Sequence, residues 1–240
     1  MDRKKSTSKV FLVFASAAFL LMTGIGGAFA ETIQLTLTGV GAGTSYGGVY
    51  TGPYAITVGS QPMNLICDDY STEISPVYTW TANVFTLSSI TSGLKFGAQT
   101  SFGGDLAGAS PYQAYEEVLY LAQQMMQAGN STYTSAIHFA IWQIMDPALT
   151  TGVPQDGADT HSSTAYWLTQ AAGNYAGVNA ANFVIYTPLV LTPGPATAGS
   201  DISQEFILVK NPSPTPVPPS VLLLGTGLLG LAGFRRRPKK

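Results

Sequence analysis

A helix written Ile137-His138-Phe139-Ala140-Ile141-Trp142-Gln143-Ile144-Met145 has no side to give to water. Ile137, Ala140, Ile141 and Ile144 recur at three- and four-residue spacing on one stripe, and Phe139, Trp142 and Met145 make the opposite side apolar too. A helix apolar all round is buried inside a domain, so the rest of the chain must enclose it. The pattern predicts that it starts near Ser131 or Thr132 and stops at Met145, because Asp146-Pro147 ends it.

A second helix precedes it. Ser110 is a good N-cap, Pro111 suits the first helical position, and Gln113 completes a capping-box pattern. Tyr115, Val118, Leu119, Ala122, Met125 and Met126 form its apolar stripe, and Gly129 is expected to stop it. A shorter helix is predicted from Ser163 to Ala172, closed by Gly173. On either side of these helices the chain is strand-like, and Thr32–Thr38 alternates with period two. Thr32–Thr38, Val49–Val58, Met63–Cys67 and Tyr78–Leu87 read as strands before them, and Asn182–Leu191 and Ile202–Lys210 after. Gly39–Gly48 and Thr91–Ser110 read as glycine-rich connections. Strands, then helices, then strands imply an α+β domain, an antiparallel β-rich body with an inserted helical segment around a buried central helix.

Charge narrows the function. Only 10% of residues are charged and 45% are hydrophobic, the reverse of a disordered chain. Nine of the eleven basic residues lie near the two ends, at 3–5, 9 and 235–240. From Glu31 to Pro216, Lys95 and Lys210 stand alone against twelve acidic residues, and there is no Arg. Such a body repels phosphate backbones, which excludes nucleic acid as a partner. One cysteine, Cys67, can form neither an internal disulfide nor a Cys-rich metal site.

The ends read as addresses. Arg3, Lys4, Lys5 and Lys9 precede an apolar run from Val10 to Met22, and Ala28-Phe29-Ala30 supplies the small-x-small site that signal peptidase cleaves. Residues 1–30 are therefore expected to be a signal peptide, with the exported chain starting near Glu31. Residues 31–210 form the extracytoplasmic domain, and 211–220 a stiff Pro-rich stalk. Val221–Phe234 is uncharged for 14 residues, shorter than the roughly 20 of a usual span. Arg235, Arg236 and Arg237 follow and should remain cytoplasmic.

The segment from Ser220 through the glycine-rich helix to Arg237 resembles the PEP-CTERM sorting signal. The resemblance implies handling by an exosortase, a membrane cysteine transpeptidase of Gram-negative bacteria that make extracellular polysaccharide. It further implies transient anchoring in the inner membrane, and then a final place in the cell envelope, at the cell surface or in the extracellular matrix. Where the signature has Pro-Glu-Pro, this chain has Pro216-Val217-Pro218, followed by Pro219-Ser220.

Two fragments of the body carry a second resemblance. Leu65-Ile66-Cys67-Asp68-Asp69 and Ala136–Ile144 are similar to the signature strand and helix of thioester domains in bacterial surface adhesins, where Cys and Gln are crosslinked. Tyr186-Thr187-Pro188 and Gln204-Glu205-Phe206-Ile207 resemble the C-terminal strands of exported PEP-CTERM proteins that share such segments. The Gln position is occupied by His138, whose imidazole has no carboxamide carbon to acylate a thiol. Gln143 does not replace it, because five residues turn it about 140° around the helix.

Cys67 and His138 are thus the candidate catalytic pair of a thiol hydrolase, with Asn64, Asp69 or Asp146 as orienting groups. The alternative is a buried thiol and a satisfied helix histidine, since Asp68 and Asp69 disfavour the thiolate. The expected function is non-catalytic and needs no cofactor or metal. Covalent adhesion through Cys67 and a carbohydrate-binding module are the rival classes. Gln155–His161 lacks the ligand spacing of an EF-hand calcium loop, and Asn130-Ser131-Thr132 fits a glycosylation sequon that helix capping also explains. Trp80, Trp142 and Trp167 are expected mainly in the core.

Overall fold

The computed structural model describes residues 31–40, 44–74, 77–87, 91–103, 109–155, 159–189 and 203–210. The expected signal segment, the stalk and the terminal apolar helix lie outside them. Eight strands are present among the described residues: β1 (Glu31–Gly39), β2 (Thr44–Tyr46), β3 (Val49–Thr51), β4 (Tyr54–Val58), β5 (Gln61–Cys67), β6 (Thr79–Phe85), β7 (Phe183–Pro188) and β8 (Phe206–Val209). Between β6 and β7 come the helices α1 (Pro111–Met125), α2 (Thr134–Met145) and α3 (Thr164–Asn174). None of the described helices is long and apolar enough to cross a membrane.

Six strands close an antiparallel barrel in the order β1-β4-β5-β8-β7-β6. Period-two patterning decides which side of each strand faces where. Leu35, Leu37, Ile56, Val58, Leu65, Cys67, Trp80, Ala82, Tyr186 and Phe206 fill one core cluster. Their neighbours Ile66, Phe183, Ile185, Ile207 and Val209 belong to a second cluster shared with the helices. The outer faces of β5, β7 and β8 are thus the floor on which the helical insertion packs, and α2 is enclosed as its all-round apolarity requires. His138 and Ile141 are both fully buried.

Several boundaries differ from the sequence pattern, each for a local reason. The stretch Val49–Val58 is two strands, because Gly52 (φ 118°) and Pro53 break it. β3 pairs with β2 in a separate hairpin, which docks on the start of α2 through Ser135 Oγ, 2.7 Å from Thr51 Oγ1 and 2.9 Å from Thr44 Oγ1. Ser110 Oγ accepts the Gln113 amide as expected (3.2 Å), while the Gln113 side chain donates to Glu117. α1 ends four residues before Gly129: Gln127 is extended, and Asn130 Nδ2 donates to the Gln124 carbonyl (3.0 Å). A 3-10 turn, Ala128–Tyr133, then delays the start of α2 to Thr134. α3 runs through Gly173 to Asn174. At the other end of α2, Gly103 lies so close that a Cβ would sit 1.9 Å from the Gln143 carbonyl oxygen, and its amide donates to the Ile144 carbonyl.

Candidate functional site at the end of strand β5

The four fragments singled out from the sequence meet at one place. Cys67 pairs with Phe206, and Phe206 in turn with Tyr186. His138 reaches the same point from α2. Its Nδ1 accepts the Gly52 amide (2.7 Å), which requires the other nitrogen to carry the proton, and Nε2 donates to the Cys67 carbonyl oxygen (2.7 Å). The imidazole thus ties the link between β3 and β4, the central helix and the end of β5 together. Burial lowers its pKa to about 4, with the Cys67 carbonyl opposing in part, so the ring is neutral near pH 7.

The thiol faces elsewhere. Cys67 Sγ donates to the Asp69 carbonyl (3.2 Å) and accepts the Asp69 amide (3.3 Å), closing a tight local turn. Burial pushes the thiol well above its ordinary value, and Asp69 and Asp68 push it further. The sequence pair is therefore adjacent in space, but the histidine bonds the cysteine's backbone and has no nitrogen left to serve as a base. Of the nominated orienting groups, Asp69 is bonded to Lys95, and Asn64 lies on β5 opposite Ala55.

The carboxamide brought beside the thiol is one that helix spacing could not indicate. Gln204 Nε2 donates to the Asp69 carbonyl (3.1 Å), the oxygen that also accepts the thiol, and to the Thr72 carbonyl. Its Oε1 is buried without a partner. Gln143 instead borders a different hollow, with Phe102, Pro147 and Leu168.

Next to this junction lies a buried charge cluster. Lys95, one of two cations in the body, is inside the protein: Nζ donates to Asp69 Oδ2, to Thr72 Oγ1 (2.7 Å) and to the Ser203 carbonyl (3.2 Å). Its amide donates to Glu205 Oε2 (2.9 Å), and the Tyr115 hydroxyl donates to Glu205 Oε1 (2.5 Å). Asp68 is also fully buried. Two charged carboxylates could only repel here. Burial first, then Glu205 and Asp69, raises the Asp68 pKa well above its ordinary value, and both of its carboxyl oxygens are buried without a hydrogen-bond partner.

A cleft of about 770 Å³ opens above, bordered by the β2–β3 hairpin, the loop after β5, Trp142 and Asp146 of the α2 end, and Gln204. No protein-family model, curated protein or solved structure matches this chain.

The remaining sequence candidates have local partners. Asp159 accepts the Tyr133 hydroxyl (2.5 Å) and the His161 amide (3.0 Å), and these bonds, the tyrosine's foremost, lower its pKa to about 2. Among the described residues no group of three His, Cys, Asp or Glu side chains is arranged for a metal ion. Trp80, Trp142 and Trp167 are buried. Lys95, Gln204, Glu205 and Tyr115 were not among the site residues expected from sequence. The one signal that pointed toward Lys95 was its isolation, a single lysine in a glycine-rich connection.

Proposed function

We propose that this is an exported, non-catalytic protein of the cell envelope or extracellular matrix, processed through an exosortase-type pathway and associated with exopolysaccharide. The observation that carries the non-catalytic part is the bonding of His138. Both ring nitrogens are spent on backbone groups 86 and 71 residues away, and the thiol is bonded to the Asp69 backbone. A nucleophile–base pair needs the imidazole on the thiol, with the thiolate favoured; here burial and two carboxylates disfavour it. The export part rests on the sequence: the basic, apolar and Ala-x-Ala segments before Glu31, and the Pro-rich, glycine-rich and triple-arginine segments after Lys210.

Mapping the termini of protein recovered from producing cells tests the export part. The expected molecule starts near Glu31 and lacks Arg235 to Lys240. An intact basic tail on most surface molecules would reduce the sorting signal to a simple anchor.

A second reading is favoured by Gln204. Its amide nitrogen and the Cys67 thiol share one acceptor, the Asp69 carbonyl, so attack of Sγ on the carboxamide carbon would form a thioester and release ammonia. Intact mass separates the two readings. The full mass, unchanged by methylamine, supports the free thiol. A deficit of one ammonia that Gln204→Glu abolishes would establish the crosslink.

A further inference from the structure

We propose that the cleft above the β5 end is a binding site for a saccharide chain that carries no acidic groups, neutral or amino-bearing. The volume, about 770 Å³, suits a ligand of a few sugar rings by the usual size of small-molecule sites. Two aromatic pairs border it. Tyr50 and Tyr54 meet edge to face at 4.9 Å, and Tyr70 leans on Trp142 at 5.2 Å. Tyr50 and Tyr70 are only half buried, so ring surface remains for the apolar face of a pyranose.

The polar complement comes from a group that the fold leaves unpaired. Gln204 is more than nine-tenths buried and borders the cleft, and its Oε1 has no hydrogen-bond partner. Such an orphan is costly in a folded protein, and a hydroxyl-rich ligand offers it a donor.

Charge selects among sugars. Exposed Glu73 and half-buried Asp146 border the cleft. Among the described residues the cation close to it is Lys95, which already has Asp69, Thr72 and Ser203 as partners. A uronate or sulfated chain would meet carboxylates with no unpaired cation among the described residues to receive it, while an amino sugar would meet two acids. This inference concerns ligand chemistry and does not depend on the route by which the protein is exported.

Calorimetric titration of the purified full chain with three probes tests it: a neutral β-glucan hexasaccharide, a glucosamine hexasaccharide and an oligouronate of equal length. The two non-acidic probes should bind, the glucosamine chain more tightly at low salt, and the oligouronate should not. Tyr70→Ala should weaken binding about tenfold or more, as removal of an aromatic anchor does, while Tyr166→Ala on α3 should leave it unchanged. Glu73→Lys alters only an exposed residue and should abolish the preference for glucosamine even if Tyr70→Ala fails to fold. Absence of binding by both non-acidic probes, preference for the oligouronate, or unchanged binding in Tyr70→Ala together with unchanged preference in Glu73→Lys would overturn the proposal. Because the measurement uses purified protein, its failure leaves the export reading standing, and an export failure leaves this result intact.

Discussion

The interior of the barrel and the junction at its end solve the same problem in opposite ways. Inside the barrel, Leu35, Leu37, Ile56, Val58, Leu65 and Phe206 exclude water with apolar surface. A few ångströms of chain further on, Asp68, Asp69, Lys95 and Glu205 are just as inaccessible but charged or protonated. Apolar packing is non-directional and tolerates volume-conserving change. The junction is directional: Asp69 is matched to Lys95 and Glu205 to the Tyr115 hydroxyl and the Lys95 amide, and removing one partner strands the other. Stability should therefore respond to chemistry at the junction and to volume in the barrel and helical layer.

The largest effect that would break this contrast is at Lys95. Lys95→Met leaves Asp69 buried without its cation, and should cost about 3–5 kcal/mol, the range for breaking a buried pair from one side. Asp69→Asn in the same chain should recover most of it, as read from urea unfolding midpoints. A cost below about 1 kcal/mol would place the pair at the surface energetically.

Volume sets the next effect. Ile141→Ala in the helical layer and Ile56→Ala in the barrel should each cost about 2–5 kcal/mol, since both side chains are essentially inaccessible. Neither cost should change between pH 5 and pH 8. Hydrogen exchange should also find the amides of α2 among the most protected. A near-neutral Ile141→Ala would mean that the helix is not enclosed.

Acid separates the two nearest junction groups. His138 has a folded pKa of about 4 against an ordinary 6.5, so between those values the unfolded chain binds more protons and stability falls as pH falls. The loss should total roughly 3 kcal/mol by pH 4, at 1.36 kcal/mol per unit. Asp68 acts with the opposite sign. Its raised folded pKa makes the native state bind more protons above the ordinary carboxylate range, so its contribution grows as pH falls. His138→Gln should remove the acid loss, and Asp68→Asn should make the net loss steeper. A wild-type acid profile unchanged in His138→Gln would show that the ring is solvated.

The smallest effect sharpens the comparison from outside. Val77 is 82% exposed with φ 69°, a left-handed conformation costly for a β-branched residue. Its amide donates to the Leu37 carbonyl (2.7 Å), and the Leu37 amide donates to Tyr78, so the strain is held by contact with β1. Val77→Asn, which tolerates this region, should raise stability by about 1 kcal/mol in thermal unfolding, without altering either the barrel or the junction.

Much of the scaffold was legible because its causes are local. Ser110 and Pro111 announce α1, Asp146-Pro147 ends α2, and alternation from Thr32 to Thr38 marks β1. Errors arose where a second local signal outweighed the one that was read. Gly129 reads as a helix stop, yet Asn130 takes the Gln124 carbonyl and ends α1 earlier. Val49–Val58 reads as one strand, yet Gly52, with its positive φ, and Pro53 divide it in two.

By itself, the sequence determined that the central helix must be buried, that the body from Glu31 to Pro216 is acidic, and that its single cysteine can make no internal disulfide. These follow from periodicity, composition and chemical identity, which need no partner to be read. Only the tertiary structure decided that the strands close into a barrel and that His138 bonds the Cys67 carbonyl instead of the thiol. It also decided that Lys95 neutralises Asp69 from 26 residues away and that Gln204 reaches the thiol's own acceptor from 135 residues beyond Asp69. Each of these depends on which distant backbone groups are left without water, and burial of that kind is fixed only when the barrel and the helices pack together.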